Sequence, residues 1–306
     1  MSGKFKLITG LGNKDKNKVK SLVLLWAKAG ADIFDVSPST IPDIEQTLIE
    51  NGLNLDDFDF CTSYAIKGDT HGKKAKIDPI LCKLCNKCKK VCIEGAIEPP
   101  NVNELKCIGC SHCKKTCKYG AISLYDSDDD GFFELLKKDV KLDTVEIHIS
   151  IKDKKIIKEE FKKIIKALNN SNCAKNAKIS ICFNRTYFSN NKTEKILEKL
   201  KELSGKREFM VQTDGNSMNG ANNTLAGTIE AVAFGLFVKS LGYDVILSGG
   251  CNEFSAELAN KAGLICSIGY GSFARKMTEN LPEDEKLKAA KEFVRKTKEL
   301  LNDKQC

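Results

Sequence analysis

Residues 244–275, DVILSGGCNEFSAELANKAGLICSIGYGSFAR, contain two short apolar runs, Asp244–Ser248 and Cys266–Tyr270. Each runs into a glycine turn and then a helix start, the pattern of a buried strand leaving a sheet. Six runs of the same kind lie upstream: Phe5–Thr9, Asp32–Val36, Phe58–Thr62, Thr144–Ile149, Lys178–Phe183 and Glu208–Thr213. Amphipathic stretches with 3.6-residue periodicity sit between them, at Lys18–Ala29, Lys155–Leu168, Lys192–Leu203 and Leu225–Leu241. In the first of these Val19, Leu22, Val23, Leu25 and Trp26 form the apolar face. A final helix over Glu283–Leu301 opens with acidic residues behind Pro282, as the helix dipole prefers. Eight β–α units predict an α/β fold, a (β/α)8 TIM-like barrel, with a doubly wound open sheet as the alternative.

The composition agrees with a globular chain: 306 residues, 42% hydrophobic and 29% charged. The start, Met1-Ser2-Gly3-Lys4-Phe5-Lys6, has no signal-type apolar stretch. The longest mostly apolar stretch, Leu225 to Val238, includes Glu230 and is too short to span a bilayer. These features predict a cytoplasmic protein whose thiols stay reduced, so its 14 cysteines point to metal rather than disulfides.

Eight of those cysteines fall in two identical runs. Cys82, Cys85, Cys88 and Cys92 follow C-x2-C-x2-C-x3-C, and Cys107, Cys110, Cys113 and Cys117 repeat it. This is the spacing of bacterial two-cluster ferredoxins, in which the fourth cysteine of each run serves the other cluster. The assignment is therefore Cys82, Cys85, Cys88 and Cys117 for one [4Fe–4S] cluster, and Cys107, Cys110, Cys113 and Cys92 for the other. Zinc is the alternative for a single run; the duplication argues for clusters. Each run is followed by Gly-Ala-Ile, at residues 95–97 and 120–122. Ile93 and Lys118 stand where ferredoxins usually carry proline, which returns a backbone N–H at each place. The predicted division is 1–77 as the first part of the barrel, 78–125 as a ferredoxin-like insert after the third strand, and 126–306 as the second part with the C-terminal helix. An insert at that connection lies on the C-terminal face of a barrel, where active sites sit.

The other cysteines, Cys61, Cys173, Cys182, Cys251, Cys266 and Cys306, show no ligand spacing. Cys61, Cys182 and Cys266 read as small buried hydrophobes, and Cys251 follows a Gly-Gly turn.

Three segments carry polar or glycine-rich character at strand ends. In Val145-Glu146-Ile147-His148-Ile149-Ser150 the alternation points Glu146 and His148 toward the barrel mouth. In the stretch from Met210 to Gly220, Gln212 and Asp214 share a face, and the polar loop Gly215-Asn216-Ser217-Met218-Asn219-Gly220 follows. His148, Gln212 and Asp214 are the catalytic candidates. The turns with Gly249, Gly250 and Asn252, and with Gly271, Ser272 and Arg275, stand after strands seven and eight, where barrels bind phosphate.

With these residues the chain resembles the cyanobacterial light-dependent period protein family, LdpA. The resemblance is carried by Phe5-Lys6-Leu7-Ile8-Thr9-Gly10, Ala29-Gly30-Ala31-Asp32-Ile33-Phe34-Asp35-Val36, Val145-Glu146-Ile147-His148, Gln212-Thr213-Asp214-Gly215 with Met218 and Gly220, Ser248-Gly249-Gly250 with Asn252, and Gly269-Tyr270-Gly271-Ser272-Phe273-Ala274-Arg275-Lys276. It implies an iron–sulfur protein that senses cellular redox state and, in cyanobacteria, adjusts the circadian clock.

Two functions follow as expectations. One is a redox-sensing or electron-transfer protein whose two clusters act with a small anionic ligand at the barrel mouth. The other is a flavin-dependent oxidoreductase with FMN or another phosphate-bearing ligand after strands seven and eight. The formal charge is +8, and residues 82–118 hold eight Lys against three Glu. That local excess should stabilise reduced clusters and favour an acidic redox partner. The remaining lysines are spread along helices without a nucleic-acid motif.

Overall fold

The computed structural model describes residues 3–10, 15–126, 131–184, 188–215 and 225–302. Eight parallel strands close into a barrel: β1 (Phe5–Ile8), β2 (Ile33–Val36), β3 (Asp59–Ala65), β8 (Thr144–Ile149), β9 (Lys178–Asn184), β10 (Phe209–Asp214), β11 (Asp244–Ser248) and β12 (Ser267–Tyr270). The ring closes because β1 pairs with both β2 and β12, setting Lys6 opposite Ile33 on one side and Gly269 on the other. All eight predicted strands are barrel strands, so the (β/α)8 expectation holds and the open sheet is excluded.

The helices around the ring are α1 (Lys16–Lys28), α2 (Ile41–Glu50), α6 (Lys154–Asn169), α7 (Asn190–Ser204), α8 (Leu225–Ser240), α9 (Ser255–Lys261), α10 (Ser272–Glu279) and α11 (Glu283–Asn302), with the short α5 (Phe132–Leu135) before β8. Helix α2 is an addition to the helices expected from periodicity; its start is set by Pro42 in the first turn and Asp43 beside it. The main core lies between barrel and helices. Phe5 stacks on Trp26 at 5.3 Å and on Tyr270 at 5.0 Å, with Phe293 edge-on at 5.8 Å, which joins β1, α1, β12 and α11. Full burial of one such ring is worth roughly 1.5–3 kcal/mol. At the strand starts, aspartates accept leftover N–H groups: Asp32 Oδ2 from Phe5 at 2.7 Å and Asp143 Oδ2 from Phe60 at 2.8 Å.

The segment between β3 and α5 builds outside the barrel. Strands β4 (Lys73–Ile77) and β7 (Ile122–Asp126) form an antiparallel pair, and β5 (Ile97–Glu98) pairs with β6 (Asn101–Val102). Two single-turn helices, α3 (Lys87–Lys90) and α4 (His112–Thr116), follow the two cysteine loops. Strand β4 lies within residues 1–77 yet pairs with β7 rather than a barrel strand. Its three lysines in five residues hide it from pattern reading. The segment has its own small core, in which Ala96 and Ile97 of one Gly-Ala-Ile repeat pack with Ala121 and Ile122 of the other. Among the described residues no helix is long and apolar enough to cross a membrane.

Gly215 marks a close approach of a helix to a strand end. A Cβ there would lie 2.0 Å from the Gly227 carbonyl oxygen and 2.7 Å from the Ala231 nitrogen, both backbone atoms of α8. Gly215→Ala is expected to cost about 1–3 kcal/mol, as overpacking does. Urea unfolding followed by circular dichroism would show this as a lower midpoint with an unchanged slope.

Candidate functional site

The residues that alternate with the outer apolar set point into the barrel, and several are charged. The Lys6 ammonium is 1% exposed. It lies 2.5 Å from Glu146 Oε2, 2.8 Å from Asp35 Oδ2 and 2.8 Å from Gln212 Oε1, which occupies its three donors. Glu146 is satisfied on both oxygens. Its Oε1 accepts from Gln212 Nε2 at 2.6 Å and faces His148 Nε2 at 3.1 Å, while Oε2 also accepts from Ser180 Oγ at 3.3 Å. Asp35 Oδ1 accepts from Ser63 Oγ at 3.0 Å. One network therefore ties β1, β2, β3, β8, β9 and β10.

Burial opposes the charge on every member, and the pairing decides the outcome. Burial works against the Lys6 ammonium, but Asp35 and Glu146 outweigh it and hold its pKa well above the ordinary lysine value. An amine so held is no imine-forming nucleophile. Burial raises Glu146, but Lys6 and His148 bring it down to about 2. Burial raises Asp35 further than Lys6 can lower it. Burial also works against a charged His148; Cys182 and Glu146 raise its pKa well above the usual imidazole value. The Cys182 thiol is itself pushed up to about 11 by burial, so near neutral pH Glu146 is the partner that keeps His148 protonated. His148 Nδ1 is buried and has no hydrogen-bond partner among the described residues.

The connection leaving β3 covers this network. The His71 ring lies 4.2 Å from that of His148, and Asp69 Oδ1 holds His71 Nδ1 at 2.8 Å. Asp69 Oδ2 also accepts from the Ser150 backbone N–H at 2.5 Å. Opposed by burial, the bonds from His71 still draw the Asp69 pKa well below the carboxylate range.

The structure brings the predicted His148 and Gln212 together around Glu146. Asp214 stands at the C-terminal end of β10 with its carboxylate against Gly249; a Cβ on Gly249 would fall 1.1 Å from Asp214 Oδ1. Lys6, Asp35, Asp69 and His71 are members that sequence reasoning missed. Lys6 and Asp35 carry a signal, a charge inside an apolar strand, whereas nothing in the sequence ties residues 69–71 to His148. Cys182, expected to be a plain hydrophobe, accepts from Gln212 Nε2 at 3.6 Å. Burial raises the Cys61 thiol, with the nearby Lys6 charge working against it. Cys251 is buried, and burial pushes its thiol far up. Glu146, His148 and Cys182 place donor atoms within 4.8 Å of one another, as do Asp35, Cys61 and Glu146. The Gln212 Nε2 amide donates to both Glu146 and Cys182, so hydrogen bonds already fill the first of these sites.

The turns after β11 and β12 are differently engaged. The Gly250 carbonyl accepts from Thr228 Oγ1 at 3.2 Å. Asn252 Oδ1 accepts from the Phe254 N–H at 3.0 Å, while its Nδ2 is buried without a partner among the described residues. Gly271 caps α10 and Ser272 opens it. Arg275 lies beside Gly271, but its donors are engaged elsewhere: Nη1 donates to the Ile8 and Thr9 carbonyls at 3.0 and 3.2 Å, and Nη2 pairs with Glu94 at 2.9 Å. Residues Asn216, Ser217, Met218, Asn219 and Gly220 of the predicted ligand loop, and Cys306, lie outside the described residues.

The duplicated cysteines line two cavities. One is lined by Cys82, Cys85, Cys88 and Cys117. The other is lined by Cys107, Cys110, Cys113 and Cys92. The two loops share a backbone. Leu84 and Gly109 are left-handed at matching positions (φ 48° and 72°), as are Asn86 and Ser111 (φ 59° and 66°). Two backbone N–H groups aim at sulfur, Ala75 at Cys107 Sγ (3.4 Å) and Ala96 at Cys92 Sγ (3.2 Å).

Residues 135–304 match the profile of the light dependent period A C-terminal domain. No curated protein sequence matches. Among solved structures, the chain is similar to 3-hexulose-6-phosphate synthase (11% identity, 95% of this chain and 98% of that one, TM-score 0.47). It is also similar to KGPDC from Streptococcus mutans (10% identity, 96% and 97%, TM-score 0.47). A third is tryptophan synthase subunit alpha from Legionella pneumophila (8% identity, 98% and 92%, TM-score 0.45). At these values the three speak to neither ligand nor reaction.

Removing the Lys6 charge should expose how tightly the network is coupled. Lys6→Met leaves buried carboxylates unpaired and is expected to cost about 3–5 kcal/mol. Adding Glu146→Gln should recover part of that loss, because it removes one of the stranded charges. A double-mutant cycle by chemical denaturation measures the coupling; strictly additive losses would contradict the network.

Proposed function

This chain belongs to the light dependent period A family, and on that premise we propose that it is an iron–sulfur redox protein. In this reading it binds two [4Fe–4S] clusters and acts in electron transfer or redox sensing, coupled to a small-ligand site at the barrel mouth. One observation carries the reading: each of two cavities is lined by four cysteines, three from one run and the fourth from the other. That crossing is the ligand pattern of two-cluster ferredoxins. The donor set fits, with four thiols lining each cavity and the same crossed pattern in both. N–H groups directed at Cys92 and Cys107 fit too, since hydrogen bonds to sulfur tune cluster potential. Bound clusters supply one-electron chemistry; the chain's own residues hold them, shield them and link them to the barrel. Glu94, two residues beyond Cys92, makes part of that link through Arg275.

The ligand at the mouth is small and carries an acceptor oxygen. His148, held protonated by Glu146, has a buried Nδ1 without a partner among the described residues, and such a donor seeks an acceptor. A phosphate-bearing ligand such as FMN at Gly249, Gly250, Asn252, Gly271 and Ser272 is a second reading, favoured by the unpartnered Asn252 Nδ2. Its phosphate would rest on backbone N–H groups and Asn252, because Arg275 is committed to Glu94.

Anaerobic purification should yield about eight iron atoms per chain, as two cubanes require. Cys92→Ser should disturb the same electron paramagnetic resonance signal as Cys110→Ser, and Cys117→Ser the same signal as Cys85→Ser. Failure to take up iron on anaerobic reconstitution overturns the reading; pairing of Cys92 with Cys85 instead overturns the crossed assignment. Added FMN should show quenched fluorescence on binding if the second reading holds, and Asn252→Ala should abolish that binding.

A further inference from the structure

The two cysteine loops have the same spacing and the same backbone, but they face opposite surroundings. The second is enclosed. Cys107 and Cys113 are buried, and Gly109 is pressed against the Lys73 and Thr70 carbonyls. Ile108 and Arg275 both reach Gly10 at the C-terminal end of β1, and Glu94 joins Arg275 of α10. The first loop is open. Cys88 is buried like Cys107 and Cys113, but Cys85 is exposed, Ile80 is 84% exposed and Leu84 58% exposed. Lys83 and Lys87 line the cavity of Cys82, Cys85, Cys88 and Cys117 itself. Apolar side chains at this exposure, set among lysines, are unusual for a surface that meets only water.

We propose that this face is the docking surface for an acidic one-electron carrier protein, which exchanges electrons with the cluster of Cys82, Cys85, Cys88 and Cys117. The cluster of Cys92, Cys107, Cys110 and Cys113 is then the one that communicates with the barrel. The proposal rests on the iron–sulfur reading and adds to it a direction and a partner. In the step itself the reduced carrier loses one electron and this chain gains one; no bond forms or breaks. Ile80 and Leu84 supply the apolar centre of the contact. Lys83 and Lys87, with Lys90 and Lys118 close to the ligand cysteines in sequence, supply the charge that selects an acidic partner and speeds the encounter.

The test uses the cluster-loaded chain and, as probe, an acidic flavodoxin in its hydroquinone form. Two variants address the face, I80D with L84D and K83E with K87E. A third, K155E with K158E on the barrel helix α6, makes the same change in net charge as the lysine pair but outside the segment that carries the face. Iron per chain is measured for each before mixing. At low salt each face variant should take up electrons at least about tenfold more slowly than wild type, with iron unchanged and the α6 variant close to wild type. Calorimetric affinity for oxidised flavodoxin should fall by a similar factor, a readout independent of electron flow. Equal rates and affinities in all four proteins, or an equal loss in the α6 variant, overturn the docking surface. Absence of iron from the wild-type protein overturns the underlying cluster reading, and the iron measurement separates that failure from the other.

Discussion

The ammonium of Lys6 is the constraint on which the barrel interior depends. It sits where a hydrocarbon core would be expected, and it is stable there only because three acceptors from three other strands meet it. A buried charge stripped of its partner costs several kcal/mol, so the arrangement is satisfied only when the ring is fully closed and in register. Each neighbour is satisfied in turn: Glu146 by four donors, Asp35 by Lys6 and Ser63, Gln212 by its oxygen and its amide together. A one-residue slip of β8 would turn Glu146 and His148 outward and take away one of the three acceptors of Lys6. The network thereby opposes misregister more strongly than a purely apolar interior could.

Much of this is legible in the sequence as parity. Glu146, His148 and Gln212 fall on inward faces because their neighbours are apolar, and the structure finds all three there. The eight strands are legible for the same reason. What cannot be read is which inward groups meet. Lys6 and Asp35 each interrupt an apolar run by one residue, but the distance between β1 and β8 around a closed ring is set by the whole barrel, not by any local pattern. Cys182 escapes notice because cysteine passes for a hydrophobe until a donor is found beside it. Arg275 misleads for a different reason. Its partner, Glu94, lies 181 positions away in a segment with its own small core, and a cation after a glycine turn looks the same whether it awaits a phosphate or a glutamate.

The insert shows the opposite limit. Its two cysteine runs are identical in spacing, and the matching left-handed residues show that they fold alike. Their difference in exposure arises from attachment. The second loop is pinned by Gly109 against the Lys73 and Thr70 carbonyls and by Glu94 against α10. The first loop has no such contact among the described residues, and its apolar side chains face outward. A repeat in sequence therefore becomes an asymmetric pair in structure.

That asymmetry and the buried network meet at the barrel mouth through two contacts of unlike character. The Arg275–Glu94 pair is an ion pair largely closed off from water, with little freedom to move. The His71–His148 contact is a stack of two imidazoles, each held by a carboxylate, Asp69 for one and Glu146 for the other. The two rings lie 33° from parallel, so the Asp69–His71 and Glu146–His148 pairs sit side by side at the mouth. The segment between β3 and α5 is thus joined to the barrel by an ion pair at one place and by a ring contact at another. Of the two, only the ring contact touches the buried network; the ion pair reaches the barrel at the end of β1 and at α10.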